Sequence, residues 1–267
     1  MNTLYAGPWV GEFGWELFCW HGHIRYLKPN YKKVVVACRA GHEVLYEDFA
    51  DEIFSLDISC EETDMWTCKN YKVPSFEQIF KCRRDGDWME PNKPFSRYDH
   101  RHILDTQPLF NNFKKQKYFK YGNKSKGYDI IWHARKTEKS KTGYRNWPVS
   151  KWKELTSFYK NKKTATIGTT NSSHMVGGDD LRDIPLSKLA DVLSSSSLIV
   201  GPSSGPIHFA SLCGCNQIVW YGDPYDNKNH IRFEKDWNPF RAKVKVLRKK
   251  DWGVSVEEIK NLIDNFN

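Results

Sequence analysis

Residues 198–215, Leu-Ile-Val-Gly-Pro-Ser-Ser-Gly-Pro-Ile-His-Phe-Ala-Ser-Leu-Cys-Gly-Cys, decide how this chain is read. Leu198-Ile199-Val200 is a β-branched run that reads as a buried strand. Gly201-Pro202-Ser203-Ser204-Gly205-Pro206 turns the chain, and Ile207 to Leu212 reads as a helix. Such a strand, loop and helix start is a ready anion site: the first helical N–H groups have no intrahelical partners, and the helix dipole favours negative charge there. Pro206 suits the first turn, where its missing N–H costs nothing. His208 falls within that turn. An ordinary αβ connection is the plain alternative.

Outward from this stretch the same alternation recurs. Tyr128 to His133 reads as a strand, and Ser150 to Tyr159 as a helix with Ser150 as N-cap and Trp152, Leu155 and Tyr159 on one face. Thr164 to Gly168 is a strand, and Pro185 to Ser194 a helix with Leu186, Leu189, Ala190 and Leu193 at helical spacing. Gln217 to Gly222 and Lys243 to Leu247 are strands, and Val254 to Phe266 is a helix capped by Ser255.

Toward the N-terminus, Leu4-Tyr5-Ala6 is a short strand followed by the loop Gly7 to Glu16 and a helix to about Tyr26. Lys33 to Cys38 is a buried strand, Gly41 to Phe49 a helix, and Ile53 to Leu56 a third strand. This alternation implies an α/β chain with parallel sheets. Residues 60–112 are dense in Pro and aromatics and read as mixed and loop-rich. Residues 114–127 are basic and Gly-containing; they read as a linker, or as a basic strip with interleaved aromatics of the kind that binds single strands.

The expected division is therefore an N-terminal acceptor-side Rossmann-like domain (1–113), a basic linker (114–127), a C-terminal Rossmann-like domain (128–250), and a C-terminal helix (251–267) packing back on the N-terminal domain. In such sheets ligands bind at the carboxyl ends of strands.

Composition allows a real core. The chain has 267 residues, 39% hydrophobic and 15% aromatic, with 11 Trp. No run of 18 apolar residues occurs and no charged-then-apolar leader starts at Met1, so neither a membrane span nor a signal peptide is expected. Seven scattered cysteines without Cys-x-x-Cys suit reduced thiols in a cytoplasmic protein better than a zinc site. The net charge of +9 fits polyanionic partners or a solvated Lys-rich surface.

Taken in order, His133-Ala134-Arg135-Lys136, Arg145-Asn146-Trp147-Pro148, Leu186-Ser187-Lys188-Leu189-Ala190, the loop 201–210 and Tyr221-Gly222-Asp223-Pro224 form a series. It resembles the C-terminal half of the heptosyltransferase family of glycosyltransferases. Those enzymes carry a Lys/Arg-x-Trp-Pro segment, a Leu-x-Glu-Leu-Ala-like helix, an Asp-Thr-Gly-Pro-x-His-x-Ala loop and a Phe-Gly-Pro-Thr-like strand end. The resemblance covers residues 130–224; before that, only the glycine-rich first βα loop matches.

The resemblance implies two Rossmann-like domains facing across a cleft (the GT-B fold) and inversion at the anomeric carbon of a nucleotide-linked sugar. It implies that Ser204, Gly205 and the N–H groups before His208 hold the donor diphosphate, with Ser203, Pro206 and His208 also in the donor-binding set. Arg145 occupies the basic position before Trp-Pro, where a guanidinium fork binds phosphate bidentately, and Arg135 adds a second positive contact. Ile184, in Asp183-Ile184-Pro185, lies where such folds approach the nucleotide base. Trp147 reads as packing. Ser203 stands where the family has Asp, and the family's first-loop Gly-Asp is Gly14-Trp15-Glu16 here, with Glu12 two residues before Gly14.

The mechanism this implies needs no metal and no further cofactor, the nucleotide sugar being a substrate. Glu16, or else Glu12, takes the acceptor proton, with Gly14 and Trp15 on the acceptor side, while the helix N-terminus and the two arginines neutralise the leaving diphosphate. First-turn helix stabilisation is the plain alternative for both glutamates. His21 and His23 are backup bases.

The acceptor is either a phosphorylated glycan or lipid core, or hydroxymethylated pyrimidine in DNA. Trp66, Trp88, Tyr98 and the Lys114–Lys126 strip favour nucleic acid. A non-catalytic nucleotide-sugar or nucleic-acid binding module and a nucleotide-sugar epimerase are the other classes.

Overall fold

The computed structural model describes residues 3–58, 61–62, 68–69, 74–81, 86–89, 91–92, 97–98, 113–123, 127–136, 145–222, 228–249 and 251–266. The chain forms two compact units, Met1–Phe119 and Lys120–Asn267.

Unit 1 is built on four parallel strands, β1 (Thr3–Ala6), β2 (Lys33–Arg39), β3 (Glu52–Leu56) and, after the short strands β4 (Glu61–Glu62) and β5 (Cys68–Lys69), β6 (Asp87–Met89), in the order β3-β2-β1-β6. Val34, Val35 and Val36 are fully buried, as a sheet covered on both faces requires. The helical stretch after β1 comes in three pieces: α1 (Phe13–Trp15), a π-helical turn (Glu16–Trp20) and α2 (His21–Leu27).

The segment 41–49 is not the expected helix. It makes one 3₁₀ turn, Glu43–Leu45, and continues as turns. The Leu45 carbonyl, which a continuing α-helix would offer to Phe49, accepts instead from Arg25 Nη2 at 3.0 Å, and the Phe49 N–H goes to Tyr46. Arg25 also grips Asp48 through Nε and Nη2, both at 2.8 Å.

In 60–112 the described pieces are small. β4 (Glu61–Glu62) pairs antiparallel with β5 (Cys68–Lys69), α3 spans Phe76–Ile79, and β7 (Pro91–Asn92) pairs antiparallel with β8 (Arg97–Tyr98). Trp66 lies outside the described residues, and for Trp88 and Tyr98 only the strand backbone is described.

The basic strip is bonded in place at both ends. In unit 1, Lys117 N–H donates to Gly22, Gln116 Nε2 to Cys19, and His23 Nδ1 to the Lys115 carbonyl. Gly22 has no room for a side chain, since a Cβ would sit 2.5 Å from Gln116. In unit 2, buried Tyr121 packs on Phe209. Residues 124–126 lie outside the described ones.

Unit 2 carries six parallel strands, β9 (Ile130–Trp132), β10 (Thr164–Gly168), β11 (Asp179–Arg182), β12 (Ile199–Pro202), β13 (Gln217–Tyr221) and β14 (Val244–Arg248). Their spatial order is β11-β10-β9-β12-β13-β14. Numbered within the unit this is 3-2-1-4-5-6, the dinucleotide-binding order, whose switch point falls between β9 and β12. Four longer helices, α4 (Val149–Ser157), α5 (Leu186–Ser195), α6 (Gly205–Cys213) and α8 (Val256–Asp264), serve this sheet, with a short α7 (Lys228–Ile231) running into a π-helical turn (Arg232–Asp236).

The expected caps need one change. Pro148, not Ser150, is the N-cap of α4, because its extended backbone already ends the preceding loop; Ser150 lies in the first turn. Ser255 does cap α8, in a reciprocal box with Glu258.

The expectation set α8 back on the N-terminal half. Its anchoring bonds among the described residues run to its own unit: Tyr159, just past α4, donates to Asp264 at 2.9 Å, and the Val254 carbonyl before α8 accepts from Trp147 Nε1 at 2.9 Å. Trp147, Trp152 and Trp220 form one buried cluster with centroids 5.0–5.6 Å apart, and Trp132 adjoins Trp152. Trp147 is thus a packing residue.

Among the described residues no helix is long and apolar enough to cross a membrane. Cys19, Cys38, Cys213 and Cys215 are buried free thiols.

Candidate functional site

Because all six strands of unit 2 run parallel, their carboxyl ends lie on one edge of the sheet. His133-Ala134-Arg135 leaves β9, Asp183-Ile184 leaves β11, Ser203-Ser204 leaves β12 and Gly222 leaves β13. Arg135, Ile184, Ser203, Ser204, Gly205, Pro206 and His208 are therefore brought to a single edge, at and beside the switch point. Glycine at 201 is a packing requirement, since a Cβ there would meet the His133 carbonyl at 2.9 Å and the His133 side chain at 3.1 Å. The chain leaving β9 thus packs closely on the Gly201 backbone of β12.

The loop at 203–206 is set by its backbone. Ser203 N–H donates to the Trp220 carbonyl at 2.8 Å. Ser204 is the N-cap of α6, extended at φ −165° and ψ 167°, and its hydroxyl does not cap the helix. That Oγ is buried and finds no hydrogen-bond partner among the described residues. Pro206 lies in the first turn. A buried hydroxyl beside first-turn N–H groups that no side chain caps is what a bound anion would satisfy.

His208 is held under this turn by aromatics. Its ring stacks on Phe233 (5.3 Å, 5°) and meets Trp237 edge-on at 4.8 Å. Desolvation there draws its pKa down to about 4, and burial does the same to His133, also to about 4. Both are neutral imidazoles at pH 7. Neither is a cation for phosphate.

The positive charge comes from the arginines. Arg135 Nη1 donates to Asn146 Oδ1 at 2.7 Å, which ties the β9 loop to the residue beside Arg145. The Arg145 guanidinium lies 5.2 Å from the ring centroid of Trp252. Trp252 itself holds a left-handed backbone, φ 61°, a costly state for a bulky residue.

Gly222 makes room for that indole, because a Cβ at 222 would lie 2.0 Å from Trp252 Cδ1. Arg145 is thereby placed on an aromatic platform at the end of β13. Gly222→Ala is expected to cost about 1–3 kcal/mol by forcing Trp252 off the strand end. Urea unfolding reads this as a lower midpoint; an unchanged midpoint would mean that the indole moves away freely. Asp223 and Pro224 lie outside the described residues.

In unit 1, the first loop sits at the carboxyl end of β1. Arg39, the last residue of β2, donates to the carbonyls of Trp9 and Gly11 and so fixes this loop. Glu12, Gly14 and Trp15 are half-buried. Glu16 is wholly buried and accepts from both His42 and Tyr46 at 2.8 Å. His21 is fully buried and edge-on to Tyr46, and burial holds it well below the usual imidazole pKa. His23 is spent on the Lys115 carbonyl. Trp252, His42 and Tyr46 escaped the sequence reading because their partners are far away along the chain. Among the described residues no group of three or more His, Cys, Asp or Glu could hold a metal ion.

No protein-family model matches the sequence, and no curated protein matches it. Solved structures do. A glycosyl transferase family 9 protein from Veillonella parvula superposes with a TM-score of 0.60 over 99% of this chain and 92% of its own, at 11% identity. The E. coli heptosyltransferase WaaC, in a structure with ADP, gives 0.58 over 100% of both chains at 12% identity. E. coli ADP-heptose LPS heptosyltransferase II gives 0.54 over 99% and 98% at 11% identity. The likeness shows the fold, a mixed α/β chain with parallel sheets as in these glycosyltransferases.

Proposed function

We propose that this chain is a glycosyltransferase that moves a sugar from a nucleoside diphosphate to an acceptor hydroxyl with inversion. Unit 2 binds the donor. The observation that carries this is the α6 N-terminus at the switch point of a 3-2-1-4-5-6 sheet, with an uncapped, buried Ser204 hydroxyl. Ser203, Ser204, Gly205 and Pro206 cradle the diphosphate, and Arg145 with Arg135 neutralises the charge that grows as it leaves. Ile184 lines the base end of the same strand edge. His208, neutral and clamped by Phe233 and Trp237, shapes the first turn rather than pairing with phosphate.

The proton acceptor belongs to unit 1, at the carboxyl edge of its sheet. The fold of the neighbours supports the donor class, since one of them is a structure with ADP. The net charge of +9 supports a polyanionic acceptor, a phosphorylated glycan or DNA.

Thermal unfolding with ADP, UDP and GDP tests the reading. A matched diphosphate at 100 times its Kd adds about 2.7 kcal/mol to the native state. For a unit of this size that raises Tm by roughly 5–10 °C. No shift with any of the three, nor with pyrophosphate, would remove the donor site.

A further inference from the structure

Glu16 is a buried carboxylate with a definite geometry and no donor-site role. Both oxygens are engaged: Tyr46 OH donates to Oε1 and His42 Nδ1 meets Oε2, each at 2.8 Å. Burial by itself raises a carboxyl, but His42, Arg39 and Tyr46 together outweigh it and hold Glu16 below the usual range. An ionised Glu16 only accepts, so His42 Nδ1 carries the hydrogen. In the neutral imidazole the remaining ring nitrogen, Nε2, bears the lone pair. It makes no hydrogen bond among the described residues, and the His42 side chain is 21% exposed while Glu16 is 0% exposed.

The place of His42 in the fold is equally specific. It lies three residues past β2, on the carboxyl edge of the sheet, and its ring meets Phe13 edge-on at 5.3 Å. Phe13 follows Glu12, the end of the first loop. Arg39 ties that loop to the end of β2. The imidazole thus stands beside the loop where an α/β sheet offers its ligand crevice. A buried carboxylate on Nδ1 of a partly exposed imidazole is the arrangement that fixes a tautomer and stabilises an imidazolium when a hydroxyl is deprotonated.

Resting on the glycosyltransferase reading, we infer that His42, oriented by Glu16, takes the acceptor proton. The acceptor O–H gives its proton to His42 Nε2, and the oxygen lone pair forms the bond to the anomeric carbon. The bond from that carbon to the β-phosphate oxygen breaks, and its electron pair leaves with the nucleoside diphosphate. The products are the glycoside, the nucleoside diphosphate and a proton that His42 passes to water. Glu16 is a positioning residue, and Tyr46 holds its other oxygen.

Two measurements on the full chain test this. The first is ¹⁵N–¹H correlation of histidine-labelled protein, which is independent of turnover. His42 is expected as the Nδ1–H tautomer, and Glu16→Gln is expected to shift its ring nitrogens; an Nε2–H tautomer in the wild type would overturn the inference. Tyr46→Phe, which keeps the His42 bond, gives the same tautomer if Glu16→Gln fails to fold.

The second is release of nucleoside diphosphate from ADP-, UDP- and GDP-hexoses, with water as acceptor. His42→Gln is expected to lower kcat at least 100-fold with donor KM within threefold, Glu12→Gln to lower it less than 10-fold, and free imidazole to restore turnover to His42→Ala. His42→Gln within threefold of wild type, or a 100-fold loss confined to Glu12→Gln, would overturn the role of His42 while leaving the glycosyltransferase reading intact. A wild-type chain that neither binds nor cleaves any of the three donors would overturn both.

Discussion

Arg145→Ala is expected to slow release of nucleoside diphosphate from the donor about 100- to 1,000-fold, a loss of about 3–4 kcal/mol in transition-state stabilisation. A leaving diphosphate gains negative charge as the glycosidic carbon departs, and a guanidinium fork placed in advance stabilises it without reorganising. Arg145 is placed in advance by Trp252, 5.2 Å below it, and Trp252 is placed by the bare Cα of Gly222. Arg145→Lys keeps the charge but loses the planar fork and its stacking, so it is expected to recover only part of the rate. Steady-state release of ADP, UDP or GDP from the matched donor measures it. A loss under threefold in Arg145→Ala would reduce Arg145 to a surface cation.

The second large effect concerns pH. His133 is 3% exposed, and burial lowers its pKa to about 4 against 6.5 in an unfolded chain. Above pH 6.5 it is neutral in both states, and the stability difference is nil. Between 6.5 and 4 the unfolded chain binds a proton that the native one refuses, so stability falls as pH falls. Over that window the loss is about 3 kcal/mol from His133 alone. His208, also lowered to about 4 by desolvation, acts in the same direction. Urea unfolding of the wild type at pH 7, 5.5 and 4, set against His133→Gln, reads the contribution. The variant is expected to show a flatter fall; parallel pH profiles would mean that His133 titrates equally in both states.

What was legible in the sequence follows the physics of local signals. β12 announced itself because three β-branched or aliphatic residues precede a Gly-Pro-Ser-Ser turn, and the α6 start because Pro206 sits where only a first turn tolerates it. β11 did not, since Asp179-Asp180-Leu181-Arg182 at a sheet edge has neither alternation nor an apolar run. Residues 41–49 carry a helix-like pattern that loses to a long-range competitor, the Arg25 side chain taking the Leu45 carbonyl.

The candidate donor loop was readable as a contiguous motif. The surroundings of Glu16 were not, because His42 and Tyr46 lie 26 and 30 residues away. Trp252 stands 107 positions after Arg145 and entered no local pattern at all.

The π turn at Glu16–Trp20 bears on how this chain can be aligned with others. Such a turn amounts to one residue inserted into a helix, and each helical residue advances about 100°. A relative with an unbroken helix is therefore one letter shorter here, and a gap must open somewhere along Phe13–Leu27. Opened before or after Glu16, it moves that glutamate by one column while Glu12, ahead of the helix, stays in place. At 11–12% identity no neighbouring letters arbitrate. The counterpart of Glu16 in another chain is then a matter of three-dimensional superposition, not of column-by-column scoring.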